Sequence, residues 1–159
     1  MPEFEQFTWY EVSDDIKELL KSAADNSENT SEREKYINQA LSKTDNELDV
    51  LIAAYRYFFY KQKYQMALET AEKVQEKAKQ EAKLPDAWED QKPILIKRQA
   101  EQIIQTYVNA YSATGIIFAA QGKAEKAQEV SDKVKNIDPA NVFTAGVLAD
   151  ISTLGTFKQ

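Results

Sequence analysis

The side chains of this chain that are capable of chemistry are carboxylates, amines and phenols. Asp and Glu number 26, Lys and Arg 20 and Tyr eight, and there is no His and no Cys. Without thiols there is no Cys nucleophile, no disulfide and no thiolate metal site. Without imidazole, the commonest metal ligand and the usual base at neutral pH are missing. A carboxylate pair is the acid–base device that remains, and it would have to be held about 5–10 Å apart in a cleft. Asp150 stands in an apolar run, where burial would raise its pKa; a solvent-facing place on a terminal helix is the plainer expectation. Asp86, Glu89 and Asp90 cluster, but no Gly among them supports a calcium-type turn. The Glu-x-x-His of di-iron bundles is absent, and four isolated glycines make no phosphate loop. The expectation is a non-catalytic protein that needs no cofactor and no metal.

Charge narrows the binding partners. The net charge is −6. Residues 1–47 hold twelve acids against five bases, while the remainder is close to balanced. Phosphate binding needs a basic stripe, so nucleic acid and anionic membrane are poor partners. The 21 residues Gln102–Gly122 carry no charge. Gln102, Gln105, Thr106, Asn109 and Ser112 within them would be costly in lipid, so a buried helix is expected there and no membrane span. The first ten residues have no basic and apolar leader pattern. With the absence of Cys, this points to the cytoplasm.

These residues must be positioned by helices, because the apolar pattern repeats every three to four residues throughout. Ile16, Leu19, Leu20, Ala23 and Ala24 form one stripe. Ser31 with Glu34, and Thr44 with Glu47, have capping-box spacing and should open the next two helices. The second of these contains Leu51, Ile52, Tyr55 and the block Tyr57–Tyr60, apolar nearly all round. Tyr64, Ala67, Leu68, Ala71, Val74 and Ala78 form a further stripe. A long helix from about Gln91 to Gln121 should close at Gly122. One helix follows through Val130 and Val134, and a last one after the cap-like Asp138-Pro139, spanning about 139–154. The fold class is therefore all-α, with about seven helices paired into antiparallel hairpins.

The hairpins repeat. Tyr111, Thr114, Gly115, Phe118, Ala127, Ser131, Val134 and Pro139 have a spacing that recurs 60 residues earlier in Leu51, Ala54, Tyr55, Phe58, Ala67, Ala71 and Val74. A further step of 34 reaches Leu20, Ala24, Ile37 and Ala40. This pattern resembles the tetratricopeptide repeat family, with units at 14–47, 48–81 and 108–141 and an insertion at 82–107. The resemblance implies hairpins stacked into a right-handed superhelix. Small residues at Ala67, Gly115 and Ala127 would let paired helices approach. Tyr55, Lys21 and Arg33 are bulky where the family has small residues. The insertion is expected to lengthen two helices into a projecting central pair with Trp88 near its tip.

The resemblance also implies a concave partner groove. Its lining would be Asp49, Ile52, Arg56, Phe59 and Tyr60 from the second unit, and Asn109, Ser112 and Ile116 from the third. Positions where carboxylate-gripping members carry Lys, Asn and Arg hold Glu18, Ser22, Asn109 and Ala113 here, so that clamp is missing. A partly basic, partly apolar peptide or helix suits the groove better. Alternatively, Phe59 and Tyr60 are core, or are covered by Trp9 and Tyr10. In the last helix, Phe143, Val147, Ile151 and Leu154 form a second apolar stripe. It either dimerises the protein or lines a tightly closed superhelix. The functional expectation is an interaction module, an adaptor or chaperone-like scaffold; a self-assembling structural subunit is the alternative.

Overall fold

The computed structural model describes residues 12–138. Those residues are all-α, with seven helices and no strand among them. The helices are α1 (Asp14–Asp25), α2 (Thr30–Leu41), α3 (Glu47–Tyr60), α4 (Tyr64–Ala82), α5 (Trp88–Lys97), α6 (Gln102–Ala120) and α7 (Ala124–Asn136). Short connectors fold α1 onto α2, α3 onto α4 and α6 onto α7, and α4 also packs along α6. The expected stripe at 139–154, with Phe143, Val147, Ile151 and Leu154, lies outside the described residues, as do Asp150, Trp9 and Tyr10.

The repeat spacing has a backbone counterpart. The second helices of the three hairpins begin at Thr30, Tyr64 and Ala124. The intervals are 34 and 60 residues, the latter being one 34-residue step plus the 26 inserted residues. Four residues into the repeat of each start, Arg33, Ala67 and Ala127 N–H donate to Asn29, Lys63 and Lys123 C=O at 2.9–3.0 Å. The second and third hairpins share one turn. Gln62 and Gly122 take φ of 64° and 80°, and the N–H groups of Lys63 and Lys123 donate to Phe58 and Phe118 C=O, both at 2.8 Å. The first hairpin turns differently: Asn29 N–H donates to Asn26 C=O at 2.9 Å, without a positive φ.

Two helix starts differ from the capping-box expectation. α2 begins at Thr30, because the Asn29 side chain accepts from Glu32 N–H at 3.1 Å. With Asn29 at the cap position, Ser31 falls inside the first turn, where its side chain is no longer the cap. Thr44 does not cap α3 either. Its hydroxyl accepts from Asn46 N–H at 3.0 Å and shapes the connector before Glu47.

The insertion is also built differently from the expected projecting pair. α4 does run on to Ala82, where Lys83 adopts the left-handed conformation (φ 59°) and Leu84 N–H closes back on Lys79 C=O at 3.0 Å. The chain then forms the separate helix α5 and breaks at residues 98–101 before α6. The cause is burial. Leu95 and Ile104 are both fully buried in one cluster with Ala78, Val108 and Val134. Nine residues apart on a continuous helix they would point about 180° away from each other. The break brings both inward. Arg98 holds it: the guanidinium donates to Ala82 C=O at 2.9 Å and forks onto Glu101 at 2.7–3.0 Å. Trp88 accordingly lies against the body, its ring 5.5 Å from that of Tyr111 with Lys133 5.6 Å from its face.

Inside this cap runs a buried polar chain. Tyr107 donates from its hydroxyl to Gln91 Oε1 at 2.8 Å, and Gln91 Nε2 donates to Pro85 C=O at 2.7 Å. Burial pushes the Tyr107 hydroxyl pKa up. At the edge, Lys79 and Asp86 meet at 2.6 Å. Their hydrogen bond raises the amine and lowers the carboxyl.

The first hairpin packs through Ile16, Leu20, Ala23, Ala24, Ile37 and Ala40. Lys21 points to solvent, 3.4 Å from Glu18. Arg33 lies along the edge with its guanidinium 2.5 Å from Ser27 C=O and 3.6 Å from Glu69 of α4. Neither therefore stands between the helices, which removes the packing conflict their size implies.

Candidate interaction groove

The facing sides of α3 and α6 line a half-open cavity of ≈160 Å³. α3 contributes Ile52, Tyr55 and Arg56, and α6 contributes Gln102, Gln105, Thr106 and Asn109. Three of the residues expected in the groove, Ile52, Arg56 and Asn109, are thus brought together from two hairpins. The cavity is far smaller than the 300–1,000 Å³ typical of drug-sized ligands. Its volume matches about five waters, or one side chain of a larger partner.

The other groove residues divide. Asp49, Tyr60 and Ile116 are partly exposed. Phe59 is 2% exposed and its ring sits 5.4 Å from Tyr64, so it fills the core and lines no groove. This is the core alternative for Phe59; the helix is apolar on more than one face and its aromatic block buries both. Ser112 is also turned inward, its hydroxyl donating to Val108 C=O at 2.8 Å.

Gln102, Gln105 and Thr106 come from the inserted residues and were not expected in the groove. Their signal is in the spacing: 102, 105, 106 and 109 follow i, i+3, i+4, i+7, a polar stripe in an uncharged helix. Gln105 is braced by its Nε2, which donates to Gln99 C=O at 3.0 Å across the α5–α6 break. The insertion therefore sets one wall of the cavity. Asn109 Oδ1 is itself buried, out of contact with that space, and has no hydrogen-bond partner among the described residues.

A larger open depression beside α3 and α4 holds Lys77, already in contact with Glu47 at 2.8 Å. Among the described residues, no three His, Cys, Asp or Glu side chains are placed to hold a metal ion. No helix there is long and apolar enough to cross a membrane. No family model matches the chain, and neither a curated protein nor a solved structure matches it.

Proposed function

We propose that this protein is a tetratricopeptide-like interaction module, an adaptor or chaperone-like scaffold that binds a peptide or helix of a partner protein between α3 and α6. The observation that carries this reading is the meeting of Ile52, Arg56 and Asn109 from separate hairpins at one cavity. An apolar side chain, a cation and a carboxamide converging on a space of one side chain form a recognition surface. The acidic first third adds a long-range preference for a basic partner. A cytoplasmic location fits a chain without Cys.

The test is affinity capture with the wild type, an Arg56→Ala/Tyr60→Ala variant, and an Glu72→Ala variant on the exposed side of α4. The expected result is a defined partner retained by wild type and Glu72→Ala and lost by the double variant, with helical content unchanged by circular dichroism. Equal capture by all three would overturn the groove reading.

A further inference from the structure

We propose that residues 1–11 of this chain dock along α3 and occupy the α3–α6 groove, so that a partner must displace the protein's own N-terminal segment to bind. As a regulation of the groove, this rests on the reading above. The observation that carries it is the burial of α3. From Leu48 to Tyr60 no residue of this helix is exposed, whereas α4 keeps a solvent face at Glu72, Lys73, Glu76, Lys77 and Gln80. The seven consecutive residues from Ala53 to Phe59 are all buried. At about 100° per residue they point in every direction around the helix. Among the described helices, α4 packs along one side of α3, and α1 and α2 touch another. The remaining side bears Asp49, Ile52, Arg56 and Tyr60, spaced i, i+3, i+7, i+11. It looks through Ile52 and Arg56 onto the half-open cavity. Solvent on that side would leave exposed residues there, and α3 has none between Leu48 and Tyr60. The cover is therefore sought in the chain outside residues 12–138.

Position and composition choose the N-terminal segment. The described chain starts at Val12, which packs on the same core cluster as α3. Its other end follows Ile137, a member of the second cluster. Eleven extended residues span up to about 36–40 Å. The 14 residues of α3 are about 21 Å long, so the segment is long enough to run the whole helix. It carries four rings, Phe4, Phe7, Trp9 and Tyr10. Each such ring buries about 150–250 Å² of surface when covered. Ile52, Tyr60 and Ile116, partly buried and apolar, are the groove residues such rings would complete. The cavity of ≈160 Å³ takes one side chain. Glu3, Glu5 and Glu11 come with no Lys or Arg in the segment, so its side chains bring no like charge to Arg56.

The chain has no Cys, so a single introduced thiol takes a nitroxide label at one place. The test puts that label on Thr8→Cys in the full chain and follows the backbone amides by NMR. The expected outcome is loss of signal at Ile52, Arg56, Tyr60 and Thr106, recovered on reducing the nitroxide, while the amides of α7 keep theirs. Adding Trp9→Ala/Tyr10→Ala to the labelled chain should recover the groove signals too. Groove signals untouched by the Thr8 label, or lost instead to a label on Ser152→Cys, overturn the proposal whether or not the Trp9/Tyr10 variant folds. An isotope-enriched, label-free chain mixed with a nitroxide-bearing one should show no loss; the same loss there would mean that a second copy supplies the cover, and would overturn it as well. Should the label act on the groove while wild type, Arg56→Ala/Tyr60→Ala and Glu72→Ala capture equally, the docking stands and partner displacement falls with the groove reading. Should the label leave the groove untouched while the double variant loses its partner, the docking falls and the groove reading stands.

Discussion

Gly115 of α6 faces Val130 of α7 so closely that a Cβ on the glycine would stand 2.9 Å from Val130 Cγ1 and 3.0 Å from its Cβ. The nearer atom belongs to a stiff β-branched side chain, and the second is fixed to the backbone. Neither can move aside without shifting α7. Gly115→Ala should therefore destabilise by about 1–3 kcal/mol, the usual cost of overpacking. Urea unfolding checks this as a lower midpoint at unchanged slope. An unchanged midpoint would mean that the α6–α7 approach is not set by this contact.

The two matching turns supply a paired test. Gly122 and Gln62 both have positive φ, and a Cβ on Gly122 would meet nothing within 4 Å. Gly122→Ala then isolates the backbone cost of the left-handed conformation, about 1–2 kcal/mol. Gln62→Gly should move the other way or be neutral, since relief of that strain is offset by the ~0.5–1 kcal/mol entropy cost of Gly. Thermal melts in which both variants lose stability alike would contradict the shared turn geometry.

Helix stripes were legible because burial on one face leaves its mark at every third or fourth residue. Leu20, Ala24, Ala67 and Val74 are all buried as their spacing predicts. The spacing brought Ile52, Arg56 and Asn109 to one cavity but misled at Phe59, because a helix buried on several sides carries no mark of which apolar residue faces a cavity. The break at 98–101 was hidden by a continuous helical pattern. Only the tertiary cluster that takes in both Leu95 and Ile104 makes it favourable. Arg33 looked like an obstacle because a residue type does not show that a long side chain can lie along an edge and reach Glu69.

The fold-back of the insertion depends on the contact of Tyr107 with Gln91. Tyr107→Phe removes the donor and leaves the Gln91 oxygen, on a residue 2% exposed, without a partner. The expected loss is about 1–3 kcal/mol. Amide exchange should quicken in α5 before it does in α1 or α2, because α5 has no place in the first core cluster. Uniform exchange across all helices would show that α5 opens only with the whole protein.

Alkaline pH should weaken the fold through Tyr57 and Tyr111. Burial is the main cause that pushes both phenols up to about 12, with Asp25 adding to the effect at Tyr57 and Glu129 at Tyr111. Below pH 10 both residues are neutral in folded and unfolded chains, so they contribute no pH dependence. Between pH 10 and 12 the unfolded chain releases these protons and the folded protein keeps them. The unfolded state then binds fewer protons, and the unfolding free energy falls as pH rises. Each residue accounts for on the order of 2 kcal/mol by the top of that window, at about 1.4 kcal/mol per pH unit. Urea midpoints measured from pH 9 to 12 should decline above pH 10 in the wild type. In a Tyr57→Phe/Tyr111→Phe variant the decline should be shallower, whatever its starting stability. Equal slopes in the two proteins would place the alkaline sensitivity in other groups.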